Sequence, residues 1–291
     1  MDKCIKYDAI IIGAGPGGIS SALYIKRGNF NVAVISKKES NLIGAEWIDN
    51  YYGFPGGLSG EELFNNGLKQ ALKMGIDVFN DEVVEIDYDG NFRIKTLKNE
   101  FASKVLVLAT GSKKNKVSIT GIDKFIGFGV SYCAICDGFF YKDKKIGLLG
   151  NSQYALHELE ILKNISSDIT LFTNGLDVTF NESDVSGINI IKERIVSADG
   201  DERLETVTLE NGNVFDIDCL FIALGSAKTS ELALKLGVML DNDKIKVNEK
   251  METNVPGLYA CGDATKGLQQ ISKAVYEGSV AGVEIIKRLR K

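Results

Sequence analysis

Short aliphatic runs alternate along this chain with stretches of helical periodicity. Asp8–Ile12 (Asp-Ala-Ile-Ile-Ile) is apolar and rich in β-branched residues, and it ends at Gly13, the signature of a strand buried on both faces. Ile19–Arg27 has helical composition, Gly28-Asn29 ends it, and Asn31–Ser36 predicts a second strand. Strand, glycine-rich turn, helix and strand within about 30 residues make a βαβ unit of the dinucleotide-binding kind. Gly60–Met74 places Leu63, Phe64, Leu68, Ala71 and Leu72 on one helical face, closed by Gly75. Strands are predicted at Ile76–Ile86, Phe92–Leu97 and Lys104–Ala109. Past Thr110-Gly111-Ser112, the lysine-rich Lys113–Lys116 marks a crossing between domains. A strand at Lys144–Leu149, a turn at Gly150, a helix at Tyr154–Lys163 and a strand at Asp168–Phe172 then repeat the βαβ pattern. Asp218–Leu224, ending at Gly225, and Leu258–Cys261 predict two more strands, and Gln269–Leu289 a final helix. The expected fold is α/β, with two Rossmann-like dinucleotide-binding halves.

Composition narrows the class. Apolar residues at 44% and charged residues at 25% are those of a globular protein with packed cores. The apolar runs, such as Ala9–Ile12 and Leu220–Leu224, fall far short of the ~18–20 residues needed to span a bilayer, so no membrane association is expected. Asp2, Lys3, Lys6 and Asp8 break the opening residues, which carry no secretory pattern, and a cytoplasmic location is expected. A net charge of −5 lacks the basic footprint of a nucleic-acid binder. Arginine is scarce, 6 against 28 lysines, which weakens any site that must grip a phosphate through a forked guanidinium.

Three motifs carry chemistry. Gly13-Ala14-Gly15-Pro16-Gly17-Gly18 satisfies G-x-G-x-x-G after a strand and before a helix. Gly13 permits the turn, Gly15 lets backbone approach a pyrophosphate, and Gly18 allows close packing. That motif alone does not separate FAD from NAD. Tyr259-Ala260-Cys261-Gly262-Asp263-Ala264 is a second strand end, followed by Gly-Asp. Ser131-Tyr132-Cys133-Ala134-Ile135-Cys136-Asp137-Gly138 holds a Cys-x-x-Cys pair, which in an α/β chain points to redox chemistry. Zinc would need two further soft ligands, whereas Cys4, Cys219 and Cys261 are isolated and His157 is the only histidine, so no metal is expected. The three lone cysteines read as small packing residues.

These elements, with Val107-Leu108-Ala109-Thr110-Gly111, Asp49–Pro55 and Leu58-Ser59-Gly60, resemble the flavoprotein disulfide reductases, and within them the low-molecular-weight thioredoxin reductases. The resemblance runs in order along nearly the whole chain. It implies an FAD-binding domain from residues 1–113 and 226–291, and a reduced NADPH-like domain, 114–225, carrying the dithiol. It implies flavin contacts from Asp263, Gln270 and Ile271 with Asn50 beside them, and phosphate and turn contacts from Gly13, Gly15, Pro16, Gly17, Gly18, Thr110, Gly111 and Gly262. Ser36 stands where the family often has an acidic ribose-binding residue, and the loop Lys38–Glu46 departs from the family pattern. Trp47 is a candidate cover for the flavin ring or a packing residue. The resemblance assigns Cys136 to face the flavin, Cys133 to attack a thioredoxin disulfide, and Asp137 to protonate the departing thiolate. It also implies a homodimer.

The second turn departs furthest. Gly150-Asn151-Ser152-Gln153-Tyr154-Ala155 keeps the first glycine and the alanine of G-x-G-x-x-A but has Ser152 for the middle glycine. The family's His-Arg-Arg cluster is replaced by Leu171–Gly175, and residues 176–241 hold 13 Asp and Glu against 5 Lys and Arg. The chain thus resembles the ferredoxin-dependent flavin thioredoxin reductases, which implies electrons arriving singly from ferredoxin and leaving to thioredoxin. The alternatives are an NAD(P)H-dependent reductase with a shifted cofactor site, a flavin dithiol oxidase passing electrons from small thiols to oxygen, and a flavin-loaded redox sensor.

Overall fold

The computed structural model describes residues 4–37, 40–111, 118–224, 229–241 and 244–291. The predicted connector Lys113–Lys116, Ser112, Lys38 and Gly225 lie outside them. Two compact units divide the chain, one from residues 1–113 and 228–291, the other from 114–227.

The first unit opens with β1 (Ile5–Ile12), α1 (Pro16–Arg27) and β2 (Val32–Ser36), then α2 (Gly60–Lys73). Ser59 caps α2 by accepting the Glu62 N–H at 3.1 Å, Glu61 and Glu62 occupy its first turn, and Lys73 its last. All three placements complement the helix ends. The predicted strand Ile76–Ile86 is in fact two, β3 (Asp77–Asn80) and β4 (Val83–Tyr88), followed by β5 (Phe92–Thr96) and β6 (Glu100–Leu108). The break arises because β3 pairs parallel with β2 whereas β4 pairs antiparallel with β5. Asp81, 6% exposed, pins the change of direction: its carboxylate accepts from the Glu82 N–H, Thr96 Oγ1 and Asn99 Nδ2 at 2.8, 2.6 and 3.1 Å. Hydrogen bonds to a carboxylate contribute roughly 1.5–3 kcal/mol each.

The second unit contains β7 (Val130–Ser131), α3 (Ala134–Asp137), β8 (Ile146–Leu149), α4 (Gln153–Lys163), β9 (Ile169–Phe172) and β10 (Asn189–Ile191). After them come β11 (Ile195–Asp199), β12 (Thr206–Leu209), β13 (Val214–Asp216) and β14 (Cys219–Ile222). Its main sheet is parallel in the order β10-β9-β8-β14-β7. Successive side chains on a strand point to opposite faces. Leu148, Leu171 and Phe221 therefore join Leu159 of α4 in one core, while their neighbours Leu149, Phe172 and Leu220 meet Phe125, Leu204 and Val207 in another. That second core is covered by the antiparallel sheet β11-β12-β13, which the sequence pattern did not predict.

The chain then returns to the first unit with α5 (Thr229–Lys235), β15 (Leu240–Asp241), β16 (Lys244–Ile245), β17 (Leu258–Ala260) and α6 (Ile271–Leu289). Strand β17 pairs with the C-terminal half of β6, placing Gly262 beside the Gly-rich turn after β1. The sheet order is β3-β2-β1-β6-β5-β4, with β17 also on β6. Helix α6 lies directly on α1: a Cβ at Gly278 would stand 2.1 Å from the Gly17 carbonyl oxygen. Among the described residues no helix is long and apolar enough to cross a membrane.

Candidate functional site: a dinucleotide cleft and a dithiol

In the first unit, β1 ends one residue before Gly13, whose φ is +108° and whose added Cβ would lie 2.4 Å from the Ala109 carbonyl oxygen. Only glycine fits there. A Cβ at Gly15 would instead meet nothing nearer than Ser40 Oγ at 3.9 Å, so the space above it opens into the cleft. No side chain caps α1, and its first N–H groups are left to face an anion. The cleft, about 400 Å³, is lined by Gly13, Gly15, Pro16, Gly17, Asn50, Thr110, Gly111, Gly262, Asp263, Gln270 and Ile271, all singled out from sequence. Two other candidates do not line it. Gly18 is a packing glycine, its Cβ position 2.0 Å from the Gly13 carbonyl oxygen, and Ser36 is buried at the end of β2, where its carbonyl accepts the Asp81 N–H. Trp47 lines the cleft while remaining 62% exposed, its indole packed against Gly57. Ser40, Leu42, Ala45 and Asp49 also line it, and no periodicity in that loop announces them. Open backbone at Gly15, an uncapped helix and a converging Asp263 fit a dinucleotide with its pyrophosphate on α1.

The Gly262–Asp263 turn is held from beneath by a buried network. Glu277 of α6 accepts the Gly262 N–H at 2.8 Å and Thr265 Oγ1 at 2.7 Å, and pairs with Lys273 Nζ at 3.2 Å. Lys273 donates in turn to the Gly262 carbonyl and to Thr265 Oγ1, both at 2.9 Å, and Lys244 donates to the Asp263 carbonyl at 2.6 Å. Cys261, a packing residue as expected, is fully buried beside this network, and burial first, then Glu277, pushes its thiol up to about 12. Cys4 corrects that reading of the lone cysteines, because it is exposed where the chain enters β1.

In the second unit Cys133 and Cys136 form a disulfide. Cys133 is 3% exposed, whereas Cys136 is exposed. Cys133 also caps α3 at its N-terminus, its Sγ accepting the Cys136 N–H at 3.2 Å. Ser131 Oγ donates to Asp137 Oδ2 at 2.7 Å and accepts the Cys133 N–H at 3.1 Å, tying the acid and the dithiol turn to one hydroxyl. The Ala134 N–H donates to Glu158 Oε2 of α4 at 2.9 Å. Cys219, buried on β14, has its thiol raised by burial, and Tyr141, which hydrogen-bonds to it, is pushed up to about 12 chiefly by burial. Beside the dithiol, Ile135, Phe139 and Phe140 are 50%, 79% and 76% exposed.

The second βαβ turn is laced to the segment that follows β9. Asn151 Nδ2 donates to the Asp177 carbonyl at 2.8 Å, the Thr179 N–H to the Asn151 carbonyl at 2.9 Å, and Gln153 Nε2 to the Thr179 carbonyl at 3.1 Å. Ser152 caps α4, accepting the Ala155 N–H, and Tyr154 is fully buried. Gly150 is retained for packing, since its Cβ would lie 2.4 Å from the Ala223 carbonyl oxygen.

Residues 7–278 match the pyridine nucleotide-disulphide oxidoreductase family. The thioredoxin reductase of Mycoplasma genitalium is 32% identical over 297 residues, covering 96% of this chain and 94% of the relative. Among solved structures, the atypical thioredoxin reductase TRi of Desulfovibrio vulgaris Hildenborough superposes with a TM-score of 0.91 at 32% identity, covering 97% of each chain. A ferredoxin-flavin thioredoxin reductase from Clostridium acetobutylicum gives a TM-score of 0.75 at 33% identity, covering 99% of each. A G-x-G-x-x-G cleft completed by a Gly-Asp turn, a Cys-x-x-Cys disulfide and these likenesses along the whole chain lead to one conclusion: the protein belongs to the low-molecular-weight thioredoxin reductases of the pyridine nucleotide-disulphide oxidoreductase family, flavoproteins that use FAD.

Proposed function

We propose that this protein reduces thioredoxin with electrons from a one-electron carrier, a ferredoxin, rather than from NADPH. The observation that carries this reading is the second βαβ turn. In a nucleotide-binding turn, backbone amides and a middle glycine stay open to the pyrophosphate. Here Ser152 takes the glycine's place, and three hydrogen bonds fasten residues 177–179 to Asn151 and Gln153. The acidic residues of 176–224, 11 Asp and Glu against 3 Lys and Arg, add repulsion toward a phosphate-rich ligand in this unit. The likeness to a protein named ferredoxin-flavin thioredoxin reductase supports the same donor.

In this reading the first unit is the FAD-binding domain and the second a former nicotinamide domain that has become a carrier of the dithiol. Gly13, Gly15, Gly17 and the α1 amides would hold the pyrophosphate, Thr110, Gly111 and Asp263 the remainder of the cofactor, and Gln270 and Ile271 the ring end, all of them residues that line the cleft. FAD supplies a centre able to hold one electron or two. The protein's own chemistry follows from the dithiol turn. Once the Cys133–Cys136 bond has taken up two electrons and two protons, Cys133 passes its proton to Asp137, and the resulting thiolate attacks the thioredoxin disulfide. Asp137, held by Ser131, returns that proton to the departing sulfur; Cys136 then attacks the Cys133 sulfur, its own proton passing to the second thioredoxin sulfur, so that the ring closes and thioredoxin leaves as the dithiol. Because Cys133 is buried in the disulfide, opening of the ring must turn its sulfur outward. A homodimer, as the resemblance implies, and a cytoplasmic location, as the opening residues imply, complete the reading.

Under anaerobic conditions, reduced ferredoxin is expected to bleach the flavin and drive thioredoxin reduction, while NADPH and NADH act at least ~100-fold more slowly. Rapid bleaching by NADPH would overturn the donor assignment. The exposed Phe139 and Phe140 frame the dithiol as the apolar contact for thioredoxin. The double substitution Phe139→Ala/Phe140→Ala is expected to raise the KM for thioredoxin about tenfold or more with kcat little changed. An unchanged KM would remove these rings from the docking face.

A further inference from the structure

We propose that Glu158 is a positioning residue of the dithiol that sets its reducing power. Its carboxylate sits on α4, the helix that follows the second βαβ turn, and is 2% exposed. It reaches across to accept the N–H of Ala134, the residue between the two cysteines on the Cys133 side, at 2.9 Å. Ala134 is itself fully buried in the core shared with Leu159 and Leu162. The contact has two consequences. Glu158 occupies one amide of the dithiol turn, leaving the Cys136 N–H as the amide aimed at Cys133 Sγ. It also holds a buried carboxylate on the amide that follows Cys133, where charge acts far more strongly than at the surface.

The direction of the effect follows from charge. The disulfide is neutral. Its reduction takes up two electrons, with two protons in acid or one proton in alkali, where one sulfur remains as thiolate. A neighbouring carboxylate disfavours that thiolate, so the pair surrenders its electrons more readily, as a reductant of protein disulfides requires. Among the described residues, the other titratable groups on these elements are Asp137 on α3, Tyr141 after it, Tyr154, His157, Glu160 and Lys163 on α4, and Cys219 on β14. Burial holds the Tyr141 and Cys219 protons in place. All of these groups are unchanged in the variants below and cancel in the comparison.

The inference rests on the dithiol being the redox centre, and it is independent of which donor loads it. Holoprotein is equilibrated in dithiothreitol redox buffers, where each reagent molecule closes its own disulfide as it delivers two electrons, then acid-quenched, and the Cys133–Cys136 peptide is scored as dithiol or disulfide. Glu158→Gln keeps an acceptor for Ala134 and removes the charge. At about pH 9, above the ordinary thiol value of ~8.5, it is expected to favour the dithiol about tenfold, a shift of about 30 mV to more positive potential. At about pH 6, where both sulfurs are protonated, the shift is expected to vanish. Glu158→Leu removes the charge and the acceptor together while keeping an apolar side chain of similar size in the core of Leu159 and Leu162, and it is expected to shift the equilibrium in the same direction. Wild-type potentials at both pH values in either folded variant, or a shift of opposite sign, would overturn the proposal. Failure of both variants to fold would overturn it too, marking the contact as a structural pin. If the peptide never cycles between dithiol and disulfide in wild type, the dithiol reading itself fails.

Discussion

Cys136→Ser is expected to lower thioredoxin reduction by on the order of 10³-fold or more while the purified protein stays yellow. The substitution removes one of the two atoms of the Cys133–Cys136 bond, so no pair of electrons can be stored there. It leaves the FAD cleft intact, because every residue lining that cleft comes from the first unit. The Cys133 sulfur keeps its amide donor as well, since the Cys136 N–H belongs to the backbone and survives the change of side chain. Cys133 is thus still able to attack thioredoxin, but nothing resolves the product. A covalent adduct with thioredoxin that a non-reducing gel resolves and dithiothreitol cleaves is therefore expected to accumulate. Retained turnover with normal flavin content would refute the dithiol mechanism.

Glu277→Ala is expected to cost about 3–5 kcal/mol, the loss that follows when one partner of a buried ion pair is removed. Glu277 and Lys273 side chains are 9% and 14% exposed, and the carboxylate also receives the Gly262 amide and the Thr265 hydroxyl. Its removal leaves the largely covered Lys273 ammonium with only carbonyl and hydroxyl partners and frees the turn that presents Asp263. At roughly 2–4 °C per kcal/mol for a unit of this size, the melting temperature should fall by about 6–20 °C, with weakened FAD retention. Lys273→Met combined with Glu277→Leu removes both charges at similar volume, and most of the lost stability is expected to return. Recovery stays incomplete because the Gly262 N–H still lacks an acceptor. A single variant that melts within about 2 °C of wild type would show that the network does not support the turn.

The strands and helices that carry the cleft were readable because their signals are local. Asp8–Ile12 followed by the glycine motif, and Leu258–Cys261 followed by Gly-Asp, each place a strand end and a turn within a few residues. Elsewhere the signal is divided between distant segments. The run Ile76–Ile86 is uniformly β-prone, yet it breaks at Asp81 because its two halves join different partners, β2 and β5. Strands β11 to β13 are short, and their alternation counts only once they are laid across the second core. Glu158 gave no hint in sequence beyond its place on a predicted helix, and it meets Ala134, 24 positions earlier, only once the chain is folded.

Chemistry was thus determined by the sequence alone wherever residues must be neighbours to act: a phosphate-binding glycine turn, a ring-forming pair of cysteines and an acid one residue beyond it. Tertiary structure decided how those parts are held and what is closed off. It sealed the second turn with residues 177–179, set Lys273 and Glu277 beneath the Gly-Asp turn, and brought a carboxylate from α4 to the dithiol. The physical reason is that a hydrogen bond or a buried charge acts over a few ångströms of space, and separation along the chain says nothing of that distance until the core has formed.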